Sequence, residues 1–547
     1  MEELGEWLLE DGWCPSTIDA MASYASLLWY ARLNGPGKRH SVYSSCTSDV
    51  CLLSQVRNDD QYQHWHVGDD CPCYFATTSM RSLLDIIESG LCPLVGGRIG
   101  STMELKGYNL EDVKYVAVSH VWLDGCGNPT ANAVPSCQAD LIDAQVKMWF
   151  SQSRTESMPW FLDTLCVPVP VSQRAKAARN KLIAMMNVIY KNALIVLVRD
   201  KALVDLSSHL DPLETVFKIA FSQWSQRLWT LQEAVAATRL EFSMSDGPVS
   251  FDKLHSSLLD PILRQCRALA ESDGRMLPRQ SSVLAYLVEM ADHIVALQRP
   301  RVVDDDFKHA AFVLCARRST SHPEDDILCL ASILRFTPAQ VTKMITCSRQ
   351  EGWAYLLEEI GKVPVALALS YGPRMSARGF GWCPIDVINN WGSTVAESHT
   401  VTSKGLLGTW TTVPFASRSG MRERLKSSVH SDPRQFDFRL KTSDLTFTVI
   451  CVVTEVPDFL VGLEEGPLAL RIPCSETKIS SNIPIHGLLV RLKGLSKVKV
   501  VLGERVAPCA VDLTRTEKVR RGEIGDGRTI ETKLFNSDKG IARWCID

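Results

Sequence analysis

Four short β-rich runs recur between residues 115 and 245 with helix-patterned stretches between them, and this alternation constrains the fold more than any other feature of the chain. The runs are Tyr115 to Ser119, Trp160 to Asp163, Ala193 to Val198, which is wholly aliphatic, and Leu240 to Met244. Helical spacing of apolar residues marks roughly 138–150, 173–191 (Leu182, Met185, Met186, Ile189) and 214–237, the last free of Gly and Pro. Strand and helix alternating in this way predict βαβ crossovers and a parallel sheet covered on both faces, with the aliphatic third run in its middle. Open parallel sheets bind ligands beyond the carboxyl ends of their strands. Those ends are Ser119-His120, Asp163-Thr164 and Arg199-Asp200.

A chain of 547 residues is too long for one core. Four regions are expected: 1–110, helical and Cys/His-rich; 111–250, the α/β domain; 251–375, mainly helical; and 376–547, β-rich, with an unknown partner. Hydrophobic content of 45% and charged content of 22% are ordinary for a globular protein. A net charge of −3 speaks against nucleic acid as a partner, since little counterion release would drive binding. The longest apolar runs are too short to span a bilayer. An N-terminus carrying Glu2, Glu3 and Glu6 lacks the pattern of a signal peptide, so a cytoplasmic location is expected.

Most of the 18 cysteines are scattered singly, as small buried hydrophobes would be. The segment from His40 to Cys73 differs. Cys46, Cys51, Cys71 and Cys73, with His66 in reserve and His64 nearby, offer thiolate and imidazole, the preferred ligands of tetrahedral zinc. Such an ion would be structural, because four protein ligands leave no open position. The alternative is a set of reduced core cysteines.

Between Gln226 and Glu233, Trp229 and Glu233 stand four apart, on one face of the expected helix. An indole anchored in a core can hold a carboxylate one turn away, at the lip of a cleft. The plainer reading is a core helix whose Glu faces solvent or pairs with Arg239. Cys166 and His120, both at strand ends, raise a thiol hydrolase as a further reading, although Val167-Pro168-Val169-Pro170 leaves no helix directly after the thiol to activate it.

Three stretches, in order, resemble fungal heterokaryon-incompatibility (HET) domain proteins: Tyr115-Val-Ala-Val-Ser119-His120-Val-Trp122, Trp160-Phe-Leu-Asp163-Thr-Leu-Cys166-Val-Pro, and Arg227-Leu-Trp229-Thr-Leu-Gln-Glu233. The resemblance covers about 115 to 245. Two positions depart from the family pattern, which commonly has Tyr in place of His120 and Gly in place of Leu123. HET domains are similar in turn to toll/interleukin-1 receptor (TIR) domains, which implies a flavodoxin-like sheet and self-association on activation. In enzymatic TIR domains a glutamate at the position of Glu233 supports cleavage of NAD at the nicotinamide–ribose bond. The resemblance thus implies Glu233 as the catalytic residue and Ser119, His120, Trp122, Asp163, Arg227 and Trp229 as a ligand-binding set. It equally allows a non-enzymatic module of fungal non-self recognition and cell death that acts by homotypic packing.

Overall fold

A computed structural model describes residues 2–22, 25–35, 46, 62–68, 70–150, 158–258, 287, 291, 294–298, 302–316, 318–370, 373–387 and 397–414, together with the strands found between 435 and 546. The chain divides into two compact units, Met1–Val302 with Arg317–Ile345, and Val303–Ala316 with Thr346–Asp547.

The first unit has α/β architecture around a nine-stranded mixed sheet. Its strands are β1 (Phe75–Thr78), β2 (Cys92–Ile99), β3 (Thr102–Tyr108), β4 (Val116–His120), β5 (Ala133–Pro135), β6 (Trp160–Phe161), β7 (Ile195–Arg199), β8 (Leu240–Met244) and β9 (Gly247–Ser250). Their spatial order is β5-β1-β3-β2-β6-β4-β7-β8-β9. The middle four, β6-β4-β7-β8, are mutually parallel. Numbered among themselves along the chain, they run 2-1-3-4. Every residue of β4 and β7 is buried, the aliphatic runs and the polar residues at their carboxyl ends alike.

Two expectations are revised here. The sheet is mixed rather than parallel, because β2 joins β6, and β9 joins β8, in antiparallel fashion. In addition, the region before residue 110, expected to be helical, contributes three strands to this same sheet.

Helices α1 (Glu2–Glu10), α2 (Pro15–Ala22) and α3 (Ala25–Asn34) precede the sheet, and α4 (Met80–Glu88) follows β1. After β5 come α5 (Ser136–Phe150), the single turn α6 (Asp163–Cys166), and α7 (Gln173–Asn192), whose N-cap Ser172 accepts from the Ala175 amide. The stretch expected as one helix over 214–237 is three: α8 (Pro212–Ala220), α9 (Gln223–Gln226) and α10 (Leu228–Ala236). No Gly or Pro breaks it. Ser222 caps α9, and Arg227 turns extended (φ −87°, ψ 141°). The backbone at this break pairs with a distant segment. Leu228 N donates to Ser319 O (2.9 Å) and Ser319 N to Gln226 O (2.8 Å).

In the parallel core, side chains leave the sheet on alternate faces. Tyr115 and Ser119 project towards α7 and α10, where the Tyr115 hydroxyl donates to Ile189 O and Ser119 meets Glu233. Trp160, Arg199 and Ser243 project towards α5, bonding Asp143, Gln145 and Gln138. No helix among the described residues is long and apolar enough to cross a membrane.

The second unit holds the helices Asp305–Ala316 and Arg349–Ile360 and a second nine-stranded sheet. Its strands are β10 (Lys362–Pro364), β11 (Ser398–Thr402), β12 (Gly405–Pro414), β13 (Gln435–Lys441), β14 (Thr446–Val452), β15 (Leu468–Pro473), β16 (Ile485–Leu495), β17 (Val501–Thr514) and β18 (Ile541–Ile546). Since β18 pairs with both β12 and β17, the strands β12, β15, β16, β17 and β18 form a closed ring.

Candidate functional site at the strand ends

The carboxyl ends of β4, β6 and β7 bring together the polar residues of the first unit. Between β4 and β7 the strand order changes direction, and at such a switch point the flanking connections diverge and leave a crevice. Ser119 and His120 end β4, Asp163 opens α6 just after β6, and Arg199 and Asp200 end β7.

Two adjoining clusters form here. In the first, Glu233 reaches from α10 to the end of β4 and accepts a hydrogen bond from the Ser119 hydroxyl. Ser119 Oγ accepts in turn from the indole N–H of Trp224 (2.6 Å). The Tyr190 hydroxyl, which donates to Val118 O (3.2 Å), also hydrogen-bonds Glu233. Glu233 is buried, and burial pushes its carboxyl well above the ordinary carboxylate range, helped by the nearby negative charge of Asp163 and opposed by its hydrogen bonds with Ser119 and Tyr190. Burial therefore favours the protonated form of this carboxyl.

In the second cluster, Asp163 sits 2.7 Å from His120 Nε2 and accepts from Trp122 Nε1 (2.8 Å) and from the Thr164 amide (2.6 Å). Burial alone would raise this carboxyl, but the His120 ring and these donors together hold it below the usual range. His120 Nδ1 is buried with no hydrogen-bond partner among the described residues. The two carboxyls, reached from opposite faces of β4, are thus shifted in opposite directions, a pattern found in acid–base sites.

The remaining residues of the expected set point elsewhere. Trp229 shares α10 with Glu233, yet its indole N–H donates to Asp325 Oδ2 (2.8 Å), and Arg227 Nη1 donates to Ser321 Oγ (2.8 Å). The charge of Arg227 still favours an ionised Glu233. The indole beside Glu233 is that of Trp224. Sequence reasoning missed Trp224 and Tyr190, because both sit in apolar helical patterns where an aromatic residue reads as core. Arg199, placed by the sequence at a strand end but given no role there, is a buried cation whose guanidinium bonds Gln145 (2.6 Å) and Gln138 (2.9 Å). Cys166 is fully buried and its thiol is pushed up to about 12, which leaves negligible thiolate for a nucleophile.

A separate group stands at the sheet edge. His66, Cys71, Cys73 and Cys137 place their ligand atoms within 4.8 Å of one another and could hold a metal ion. Cys46 is not in this group, and Cys51 lies outside the described residues. Cys137, in the first turn of α5, was not foreseen. Burial alone would raise the Cys73 thiol, but the Cys137 N–H and the Cys137, His66 and Cys71 side chains bring it to about 6.

No family model, curated protein or solved structure matches the chain.

Proposed function

We propose that the first unit is a HET-type, flavodoxin/TIR-like module that hydrolyses NAD at the nicotinamide–ribose bond, with Glu233 as its catalytic carboxyl, in a cytoplasmic protein of fungal non-self recognition. The observation that carries the reading is the buried Glu233 carboxyl at the carboxyl end of β4, held by Ser119 and Tyr190, whose protonated form burial favours. The 2-1-3-4 order of the parallel core supports the flavodoxin-like part, and the three motifs resembling HET domains support the rest.

The chemistry follows from the charge. The nicotinamide ring of NAD is cationic, and its approach favours ionisation of Glu233, so binding expels a proton. As the C1′–N bond breaks, the bonding pair leaves with nicotinamide and positive charge develops on the ribose. The new carboxylate stabilises this charge more than it stabilises bound NAD. Water adds to C1′, and Glu233 takes its proton, returning to the resting form. The Asp163–His120–Trp122 cluster lines the same strand ends and orients a ribose hydroxyl or the pyrophosphate. Zinc is the ion that best suits the His66, Cys71, Cys73 and Cys137 donors, in a structural role.

A second reading is favoured by the same bonds: a carboxyl fully satisfied inside the core suits a structural acid in an assembly module that works by self-association. The deciding experiment is release of free nicotinamide from NAD by concentrated, self-associated protein, comparing parent and Glu233→Gln. Release that the substitution abolishes supports the enzyme. Equal release from both removes Glu233 from the chemistry, and none from either leaves the assembly module.

A further inference from the structure

We infer that a tetrahedral metal ion bound by His66, Cys71, Cys73 and Cys137 clamps residues 62–66 onto the loop that follows β4, tying the order of that loop to metal loading. This stands whether or not Glu233 is catalytic.

The donor geometry is that of a closed site. Cys73 Sγ lies 3.5 Å from Cys137 Sγ and 3.2 Å from His66 Nδ1, and Cys137 Sγ lies 3.9 Å from His66 Nδ1. Cys71 hydrogen-bonds both Cys73 and Cys137. With Zn–S near 2.3 Å and Zn–N near 2.0–2.1 Å, tetrahedral ligands stand about 3.8 Å apart for S···S and about 3.6 Å for S···N. The observed spacings scatter around those values. They are far from the roughly 2.05 Å of a disulfide. The backbone N–H of Cys137 bonds the Cys73 sulfur, and that of Val67 bonds the Cys137 sulfur, the outer-shell support expected around thiolate ligands.

The four ligands come from three places: residue 66, the stretch just before β1, and the first turn of α5. The β1–β5 edge is already fixed without an ion, by β-pairing, by the Ser136 N–H to Tyr74 O bond (2.8 Å) and by the Arg98–Asp140 pair (2.7 Å). What the ion adds is a tether on residues 62–66. This segment lies on the loop after β4. Trp65 N donates to Gly125 O (3.0 Å), the Tyr62 hydroxyl donates to Trp122 O, and Gly127 N donates to the Tyr62 hydroxyl (2.7 Å). The fit is close enough that a side chain at Gly125 (φ +93°) would collide with the Trp65 amide. Trp122 begins this loop and bonds Asp163.

The test measures metal content and amide exchange on the full chain. Purified protein is expected to carry one zinc per chain, and cobalt exchanged into it should give the absorption of a tetrahedral thiolate site. Cys73→Ser and Cys137→Ser should each weaken zinc binding by at least about 100-fold, beyond the 10–100-fold usual for an outer-shell change, while Cys46→Ser should bind as the parent does. Should these variants fold poorly, chelation and zinc re-addition on the parent provide the same comparison. Metal removal should speed hydrogen exchange at the Trp65 and Gly127 amides and leave the core of β4 protected. A protein that binds no stoichiometric metal, or that keeps it in Cys137→Ser, overturns the site. Metal binding without any change at Trp65 and Gly127 overturns the clamp.

Discussion

The hydroxyl of Ser119 donates its hydrogen bond to a carboxyl oxygen of Glu233, joining the end of a central strand to the middle of α10 across more than a hundred residues of sequence. Ser119 accepts from Trp224 on its other side, so its proton is committed to Glu233.

Because burial favours the protonated form of Glu233, Gln is nearly its equal in shape and charge. Glu233→Gln is expected to keep the fold, with a stability change of about 1 kcal/mol or less, while lowering nicotinamide release by at least about 100-fold. Thermal unfolding and a nicotinamide assay check the two halves separately.

Ser119→Ala removes the donor to Glu233 and strands the Trp224 N–H in the core. A buried polar group left unpaired costs roughly 1–3 kcal/mol, and this should appear in denaturant unfolding as a shifted midpoint with an unchanged slope.

The two carboxyls give opposite pH signatures. Glu233 is raised on folding, so its contribution to stability is full in acid and lost as pH rises through its folded-state value. Asp163 is lowered, so its contribution is present above the ordinary carboxylate range and lost as pH falls through its folded-state value. Glu233→Gln should therefore gain on the parent as pH rises, and Asp163→Asn should lose least against the parent at the acid end. Unfolding midpoints followed from about pH 3 to 9 would show both trends. A Glu233→Gln difference that stays flat with pH contradicts the neutral acid.

The two indoles separate cleanly. Trp229→Phe removes the donor to Asp325, a carboxyl that burial raises, and is expected to cost about 1–3 kcal/mol with nicotinamide release unchanged. Trp224→Phe leaves Ser119 without its donor and should lower release. Steady-state rates of the two variants decide between them.

The central strands were legible because β4 and β7 are buried on both faces and so open on aliphatic runs, Val116–Val118 and Ile195–Val198. Strands β2 and β3 were not: Gly96 and Gly97 sit at a bulge in their pairing and hide the alternation of Met103 and Leu105. The break between α9 and α10 carries no Gly or Pro signal; Thr230 bonds the Trp224 and Arg227 carbonyls across it, and Ser319, about ninety residues away, pairs with its backbone. The spacing of Trp229 and Glu233 placed both on one helix, but a shared face does not fix where each side chain finds its partner. Cys137 lay beyond any local motif, because only the pairing of β5 with β1 carries it to Cys73.

Ser119 and His120 are neighbours in sequence, yet Ser119 pairs with Val198 and His120 with Arg199, on opposite sides of the sheet. Loss of one residue earlier in the strand would move His120 to the place of Ser119, facing Glu233, and Ser119 to the place of Val118, leaving Asp163 without its imidazole. Losing any one residue from 116–118 should thus disable both clusters together, even where a sheet still assembles. The strand acts as a key cut on both edges, and only one insertion depth opens the lock.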